Sequence, residues 1–600
     1  MITEESTLPE VVQQAFTAFR SSGAFFYRRG DGFEALSSEH FLETIRRLSL
    51  GLRAIGLKRG DVVAVIAPSS PWWLMVDLAI MLAGGCSTAV FPKISKKNFL
   101  YQLKDSGSRF AYIDSPELWQ MAKACCAQLK AVILRDVGHQ HKNGLINFND
   151  ILKKGDQLSL AEPKLYRQLG ERLKADDIAT LIYTSGSTGY PKGVILSHRN
   201  LCSQIAAAIQ RYPLDHSKDR ALSTLPLAHC FERTVVYSYF CQGVPIYFAD
   251  DIQKLKEYLP EARPTIMSMV PRILEKLFEK LQEKVNAANP LLKALGGWGF
   301  KVAFEQTPYP LSRLVADSLF FKKIRAGMGG ELKTVIVGGA ALEPMLCRFF
   351  INIGIPVYQG YGLTETSPVL TANYPGHNVP GTVGPAFPGV QVAIRGPESE
   401  IRCKGANIML GYHKQPEMTA QRFDQDGWFC TGDCGEFDSQ GNLIITGRLT
   451  EMFKTSTGKF VSPIPLEQRL IKHPLIDAAM VIADGKSFVS ALLFAETEAL
   501  QRALADYQDS AGCASIQDAN YCIMRRLHKH IDLVNESLNE WEKIRTFRFI
   551  TEALSIESGL LTPTMKLCRQ KVSGQYADLI TAMYDEQRAE SENLRNEERL

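Results

Sequence analysis

The sequence predicts an α/β protein: a large N-terminal domain of layered, parallel-rich sheets with helices, followed by a small C-terminal α+β domain. Three observations carry this reading. Short apolar, β-branched runs such as DVVAVIAP at 61–68 and KTVIVGGAAL at 333–342 alternate with helical patterns, as parallel strands covered on both faces do. The chain has 600 residues and 45% hydrophobic content, ample for more than one core. The composition then turns polar after position 448, with Lys454, Gly458, Lys459 and two prolines in residues 450–465, so the domain boundary is expected there.

In chain order, the strand at 61–68 leads into PWWLMVDLAIMLAGGCSTAVFP at 71–92. Asp77 interrupts this apolar stretch, and the uncharged remainder falls short of the about 20 residues that a membrane span needs. A buried helix running into a strand near 89–91 is therefore expected. An amphipathic helix around 97–104 precedes another strand at 110–113. The first 180 residues otherwise contain no catalytic constellation.

Residues 181–197, LIYTSGSTGYPKGVILS, read as a buried strand feeding a loop. Thr184, Ser185, Ser187 and Thr188 surround Gly186 and Gly189, and Pro191, Lys192 and Gly193 close the loop. Glycines let backbone approach a ligand, hydroxyls and exposed N–H groups suit phosphate oxygens, and the lysine supplies charge. An ordinary Ser/Gly turn is the plainer reading, against the coincidence of strand, spacing, hydroxyls and lysine. The segment is not a Walker loop. The one Gly-Lys-Ser ending, at 485–487, has Met480 where the first glycine belongs.

Further on, LSTLPLAHCFER at 222–233 contains His229, which by itself is more often a satisfied core histidine, beside Pro226, Glu232 and Arg233. Amphipathic helices at 272–285 and 311–325 read as scaffold. The strand at 333–342 ends in Gly338-Gly339-Ala340, where a flat ligand can lie against backbone. VYQGYGLTETS at 357–367 then brings Tyr361, Gly362, Thr364 and Glu365 together. A tyrosine can stack on a purine, a hydroxyl can bind phosphate and a carboxylate can hold Mg²⁺. GWFCTGD at 427–433 ends in Asp433, and Arg448 follows a hairpin-like stretch; both suit ribose hydroxyls. In the small domain, Asp484-Gly485 between AAMVIA and FVSALLFA signals a hairpin. GLLTPTMKLCR places Lys566 in a turn, ordinarily a position of solvated surface charge. The charged tail at 585–600 reads as a solvated helix or disordered end.

Composition narrows the function classes. With 68 basic and 64 acidic residues and a formal charge of +4, the chain has no basic stripe with interleaved aromatics, so no nucleic-acid partner is expected. Thirteen scattered cysteines do not form a disulfide framework and point to a reducing compartment. Cys430 and Cys434 lack the second ligand pair of a metal site. The N-terminus is acidic and has no signal-peptide pattern, so a cytoplasmic protein is expected.

Taken in order, these motifs resemble the adenylate-forming (acyl-activating) superfamily over nearly the whole chain. LPLAHCFER, the inserted helical region at about 287–330 and the LLTPTMK form are most similar to its long-chain fatty-acyl-CoA synthetase branch. The resemblance implies a two-step ligase. A fatty carboxylate attacks the α-phosphate of ATP·Mg to give acyl-adenylate and pyrophosphate, and the coenzyme A (CoA) thiol then displaces AMP. By that match, Thr184, Ser185, Gly186, Ser187, Thr188, Gly189 and Lys192 would hold the phosphates. Thr364 would sit on the α-phosphate, with Glu365 and Thr184 on Mg²⁺. Tyr361, Gly362 and Gly338 to Ala340 would flank adenine and the acyl carboxylate. Asp433 and Arg448 would bind ribose, His229 would lie near the reacting carboxylate, and Lys566 would neutralise charge between carboxylate and phosphate.

The implied organisation is a large adenylation domain at 1–448, a hinge at 449–451, and a mobile domain at 452–600 carrying the lysine. The sequence departs from the family pattern at Thr450–Glu451 in the hinge, at Lys459 and at Ser399. One alternative is an acyl-AMP ligase or acyl-carrier-protein synthetase, which would pass the acyl group to a carrier protein. The other is a non-catalytic lipid- or nucleotide-binding relative. Because fatty acids partition into bilayers, weak peripheral contact at the inner face of the membrane is also expected, without a span.

Overall fold

The computed structural model describes residues 2–3, 5–92, 94, 96–124, 126, 129–135, 144–184, 191–306, 308–449, 453–456, 460–461, 463–509, 516–536, 538–555, 557–562 and 567–586. Residues 185–190 of the Ser/Gly loop, Thr450, Glu451, Lys459 and Lys566 lie outside this set. The chain divides into two compact units. The first comprises residues 1–393, 402–431 and 436–444; the second comprises 394–401, 432–435 and 445–600.

The first unit is organised by two eight-stranded sheets. In one, the strands run in the order Val369–Ala372, Val357–Gly362, Thr334–Val337, Ile266–Met269, Ala221–Ser223, Ile246–Phe248, Phe25–Arg29 and Gly32–Leu36. Its interior pairs are parallel, for example Val337 beside Gln359 and Ser268 beside Ile336, and antiparallel strands close both ends. In the other, the order is Gly411–Tyr412, Lys192–Ser197, Ile178–Thr184, Cys86–Val90, Val62–Ile66, Ser108–Ile113, Ala131–Leu134 and Leu145–Asn147. Strands such as Thr334–Val337 and Ala131–Leu134 are buried at every position, which their unbroken apolar character requires.

The apolar stretch at 71–92 forms helix Pro71–Leu82 and strand Cys86–Val90. Ser70 caps the helix by accepting the Trp73 N–H at 3.3 Å, and Pro71 occupies the first turn, where no amide donor is needed. Twelve residues are too few to span a bilayer, and none of the described helices is long and apolar enough to do so. Asp77 is fully buried on this helix and pairs with Arg233, whose Nη2 donates to both carboxylate oxygens at 2.7 Å. Arg233 also donates to Thr180 Oγ1 at 2.8 Å, and the Tyr237 hydroxyl donates to Asp77. Two charges out of water persist only when paired and hydrogen-bonded in this way.

In the second unit, strands Ile476–Ile482, Val489–Ala495 and Ile544–Ile550 form a three-stranded sheet. The first pair is the expected hairpin, with Gly485 at φ +66° in its turn; the second pair is parallel. All seven residues of the central strand are buried. Ala491 and Leu493 pack with Leu466, Leu527 and Ile531 on one side, and Leu492 and Phe494 with Val572, Ile580 and Met583 on the other. Glu467 ties helix Pro463–Leu470 to this sheet, accepting the Val481 N–H at 2.7 Å and pairing with Arg569.

Candidate active site

The parallel strands of the first sheet deliver their C-terminal ends to one edge, the position at which open α/β sheets bind ligands. Ser223, Met269, Val337 and Gly362 end neighbouring strands there. Gly338 and Gly339 follow directly. A side-chain carbon on Gly338 would stand 3.5 Å from the Phe231 ring, and Gly339 has φ +83° with open space beside it. Gly338 is buried, whereas Gly339 is exposed and presents its backbone outward. Ala340, next to it, is likewise exposed.

His229 caps helix Cys230–Cys241, its Nδ1 accepting the Phe231 N–H at 3.2 Å. That acceptor role assigns the proton of a neutral imidazole to Nε2. Glu232 holds the start of the same helix over the sheet. Ser223 donates to one of its oxygens at 2.5 Å and Ser268 to the other, from the ends of two adjacent strands. Burial raises Glu232 to about 7, while the two serine hydroxyls act in the opposite sense. Thr234 reaches across to the Ser367 carbonyl at 3.3 Å, so this helix touches both the glycine turn and the Thr364–Thr366 turn.

The Thr364–Thr366 turn leaves strand Val357–Gly362, on which Tyr361 is half-buried and pairs with Thr371. Gly362 is required by close approach: a side-chain carbon there would fall 1.7 Å from the Pro368 carbonyl oxygen. The turn presents Glu365, and its carbonyl accepts the Met409 N–H at 2.9 Å. From there the chain enters strand Gly411–Tyr412, which pairs antiparallel with Lys192–Ser197. Asn200, after that strand, donates to the Ala406 and Ile408 carbonyls at 2.7 and 2.9 Å.

Lys192 faces Thr184 across the hairpin that brackets residues 185–191. Its ammonium lies 5.5 Å from the centre of the Tyr412 ring, and the Tyr412 hydroxyl donates to Glu365 Oε1 at 2.7 Å. Burial, followed by the Arg422 guanidinium, lowers Lys192 below the ordinary lysine value, and Glu365 pulls it back. Burial and the Glu365 carboxylate hold Tyr412 above the usual phenol range, so it remains a donor. The structure thus links Lys192, Tyr412 and Glu365 at the hairpin, and sets Tyr361, the glycine turn and the helix capped by His229 at the C-terminal ends of the first sheet's strands. Motif reading missed Tyr412 and Asn407, and it read Glu232 only as a charge near His229, without its partners. Asn407 donates to the Thr366 carbonyl at 2.9 Å, and only a tyrosine after a glycine in LGYHK hinted at this second layer.

The donor set bears on a cation. Among the described residues no group of three or more His, Cys, Asp or Glu side chains is placed to hold a metal. Glu365 is a lone carboxylate with one hydrogen bond taken up by Tyr412. That fits Mg²⁺ bound through one carboxylate together with substrate phosphates, and it does not fit an all-protein cage.

In the second unit, Asp433 is buried and Arg448 pairs with it, Nε to Oδ1, at 3.0 Å. The residues flanking 563–566 are held at their base: Leu561 bridges Leu567, and the Cys568 N–H bonds the Leu560 carbonyl at 2.8 Å.

Comparison with known proteins bears on this arrangement. A family model described as AMP-binding enzyme matches residues 13–413, and one described as AMP-binding enzyme C-terminal domain matches 451–588. A long-chain-fatty-acid--CoA ligase of Mycobacterium tuberculosis is 32% identical over 556 residues, 90% of this chain and 91% of that protein. A long-chain-fatty-acid--[acyl-carrier-protein] ligase of Arabidopsis thaliana is 28% identical, covering 89% and 80%. Among solved structures, the A domain of a carboxylic acid reductase from Segniliparus rugosus, in complex with AMP and a co-purified carboxylic acid, superposes with a TM-score of 0.74. Its identity is 20%, with 97% of this chain and 94% of that chain covered.

Proposed function

The chain belongs to the AMP-binding enzyme family, and from that premise we propose that it is an AMP-forming long-chain fatty acid–CoA ligase using ATP and CoA. The geometric observation that carries the proposal is the Lys192–Tyr412–Glu365 group at the mouth of the phosphate-loop hairpin. It sets the Lys192 ammonium beside a tyrosine-oriented carboxylate that could hold Mg²⁺, and a triphosphate needs both sources of positive charge.

In the first step, a carboxylate oxygen of the fatty acid forms a bond to the α-phosphorus of ATP as the bond to pyrophosphate breaks, giving acyl-AMP. In the second, the CoA thiolate attacks the acyl carbonyl and AMP leaves. Two anions must meet in the first step, so the protein's contribution is positioning and positive charge. Thr184, Lys192 and the loop residues Ser185 to Gly189 hold the phosphates; Thr364 sits at the α-phosphate. Glu365, with Thr184 beside the phosphates, would hold Mg²⁺, which would supply neutralising charge to the phosphates. His229, donating from Nε2, orients the incoming carboxylate. Tyr361, Gly362 and the Gly338–Ala340 turn flank adenine and the acyl end. The Asp433–Arg448 pair engages ribose, Lys566 supplies charge at the reacting oxygens, and residues 452–600 move about a hinge at 449–451 between the two steps.

Pyrophosphate release across C2 to C20 acids tests the proposal. Long-chain acids should give release, with CoA and not a holo carrier protein as the acceptor. Thioester formation on a holo carrier protein, with none on CoA, would assign the chain to the carrier-protein branch, to which the Arabidopsis relative belongs by name.

A further inference from the structure

The inserted helical region at about 287–330 carries an apolar surface that the reaction does not use. Helix Pro290–Phe304 is packed inward by Val302 and Ala303, and Asn352 caps its end by donating to the Ala303 and Glu305 carbonyls at 2.9 Å. Gly299 admits the Phe320 ring, since a side-chain carbon there would fall 2.9 Å from it. Phe300 and Phe304 of this helix pack tilted or edge-to-face with Phe278 and Phe349, and neighbouring ring centres in the group lie 4.9–5.7 Å apart. The insertion is therefore a firmly packed part of its unit.

Its outer side is the unusual one. Helix Pro310–Ala316 continues through a π-helical turn, Asp317–Phe321, into Lys322–Gly327. Ala316, Phe321 and Ile324 face the core. Leu311, Leu314, Val315 and Leu319, spaced i, i+3, i+4 and i+8, form a second stripe facing solvent, with Leu311 65% and Leu314 68% exposed. Tyr309 at 70% and Leu291 at 80% extend it. A helix apolar on both sides needs an apolar partner on each, and an exposed stripe of this size marks an interaction surface.

Charge identifies the partner. Residues 290–326 contain six basic and two acidic side chains, an excess equal to the +4 formal charge of the whole chain. Lys293, Lys301, Arg313, Lys322 and Lys323 are all exposed around the stripe. A second copy packed on the same face through a two-fold axis would oppose like charges. An anionic bilayer would accept leucines among its acyl chains and lysines among its headgroups. We propose that this face, centred on Leu311, Leu314 and Leu319, docks the protein on anionic membrane surfaces. The docking site deepens the fatty-acid reading, which supplies its purpose, since the acid substrate resides in bilayers.

Flotation of the full chain with phosphatidylcholine vesicles, with and without phosphatidylglycerol, tests this. The protein should float with the anionic vesicles, and high salt should weaken the association. Leu311→Ser/Leu314→Ser and Lys322→Glu/Lys323→Glu should each lower the bound fraction about tenfold or more. Both variants should keep the melting temperature and keep pyrophosphate release with a long-chain acid held in solution by cyclodextrin. Failure of wild type to float, or flotation of the variants at the wild-type level, would overturn the proposal. So would a wild-type dimer that the leucine variant dissociates, which would assign the face to a second copy. Loss of pyrophosphate release in wild type itself would count against the ligase reading and leave the flotation result standing.

Discussion

Replacing Tyr412 by phenylalanine removes one hydroxyl and little else. The ring stays beneath Lys192, the Tyr412 N–H keeps its 2.8 Å bond to Thr419 Oγ1, and the pairing with Val194 is untouched. What disappears is the 2.7 Å bond to Glu365 Oε1. A hydrogen bond to a charged group contributes about 1.5–3 kcal/mol. At about 1.4 kcal/mol per factor of ten, the expected loss in kcat/KM for pyrophosphate release is about 10- to 100-fold. Because the hydroxyl acts through Glu365, the loss should appear partly as a raised Mg²⁺ requirement, and thioester formation from supplied acyl-AMP should be spared. The assay is pyrophosphate release at fixed ATP over a Mg²⁺ series, with a thermal melt to confirm the fold. Wild-type activity and an unshifted Mg²⁺ curve in Tyr412→Phe would refute the positioning role of this tyrosine.

Four further outcomes are expected. Lys566→Ala should lower acyl-AMP formation about 10²- to 10³-fold while sparing thioester formation from supplied acyl-AMP, and equal losses in both half-reactions would refute its role. Arg233→Met leaves Asp77 charged and buried without its partner, so unfolding in denaturant should show a loss of about 3–5 kcal/mol, largely recovered in Asp77→Leu/Arg233→Met. Glu232 is raised from 4.5 to about 7, so the stability it contributes is complete below 4.5 and lost as pH rises through about 7; Glu232→Gln should flatten that slope in melts run across this window. Gly362→Ala cannot be accommodated 1.7 Å from the Pro368 carbonyl, and soluble yield and activity should both collapse.

Much of the candidate site is legible because its residues lie in short contiguous motifs. Strand-then-glycine at 333–342 and the Tyr361–Glu365 cluster announce themselves by residue type, and the structure places them on adjacent strands. Long-range partnerships leave no such trace. Glu232 and Arg233 read as charges beside an apolar run, yet one caps two serines on different strands and the other neutralises an aspartate 156 residues away. Tyr412 is invisible for the same reason: its partner Glu365 is 47 positions earlier. The helix at 311–325 shows a different limit. Periodicity locates an apolar stripe but not which way it faces, and here the leucines turn outward while Phe321 and Ile324 turn in. The helical pattern is also interrupted at Asp317–Phe321, a π-turn that no spacing rule marks.

The central claim is that a fatty carboxylate attacks the α-phosphate of ATP before CoA enters. Incubating the protein with a long-chain acid and α-labelled ATP, without CoA, and trapping the products tests it most directly. Labelled acyl-AMP and an equivalent of pyrophosphate should form, and on adding CoA the acyl-AMP should convert to acyl-CoA and labelled AMP in a 1:1 ratio. Labelled ADP, or no acyl-AMP with any chain length, would contradict the account.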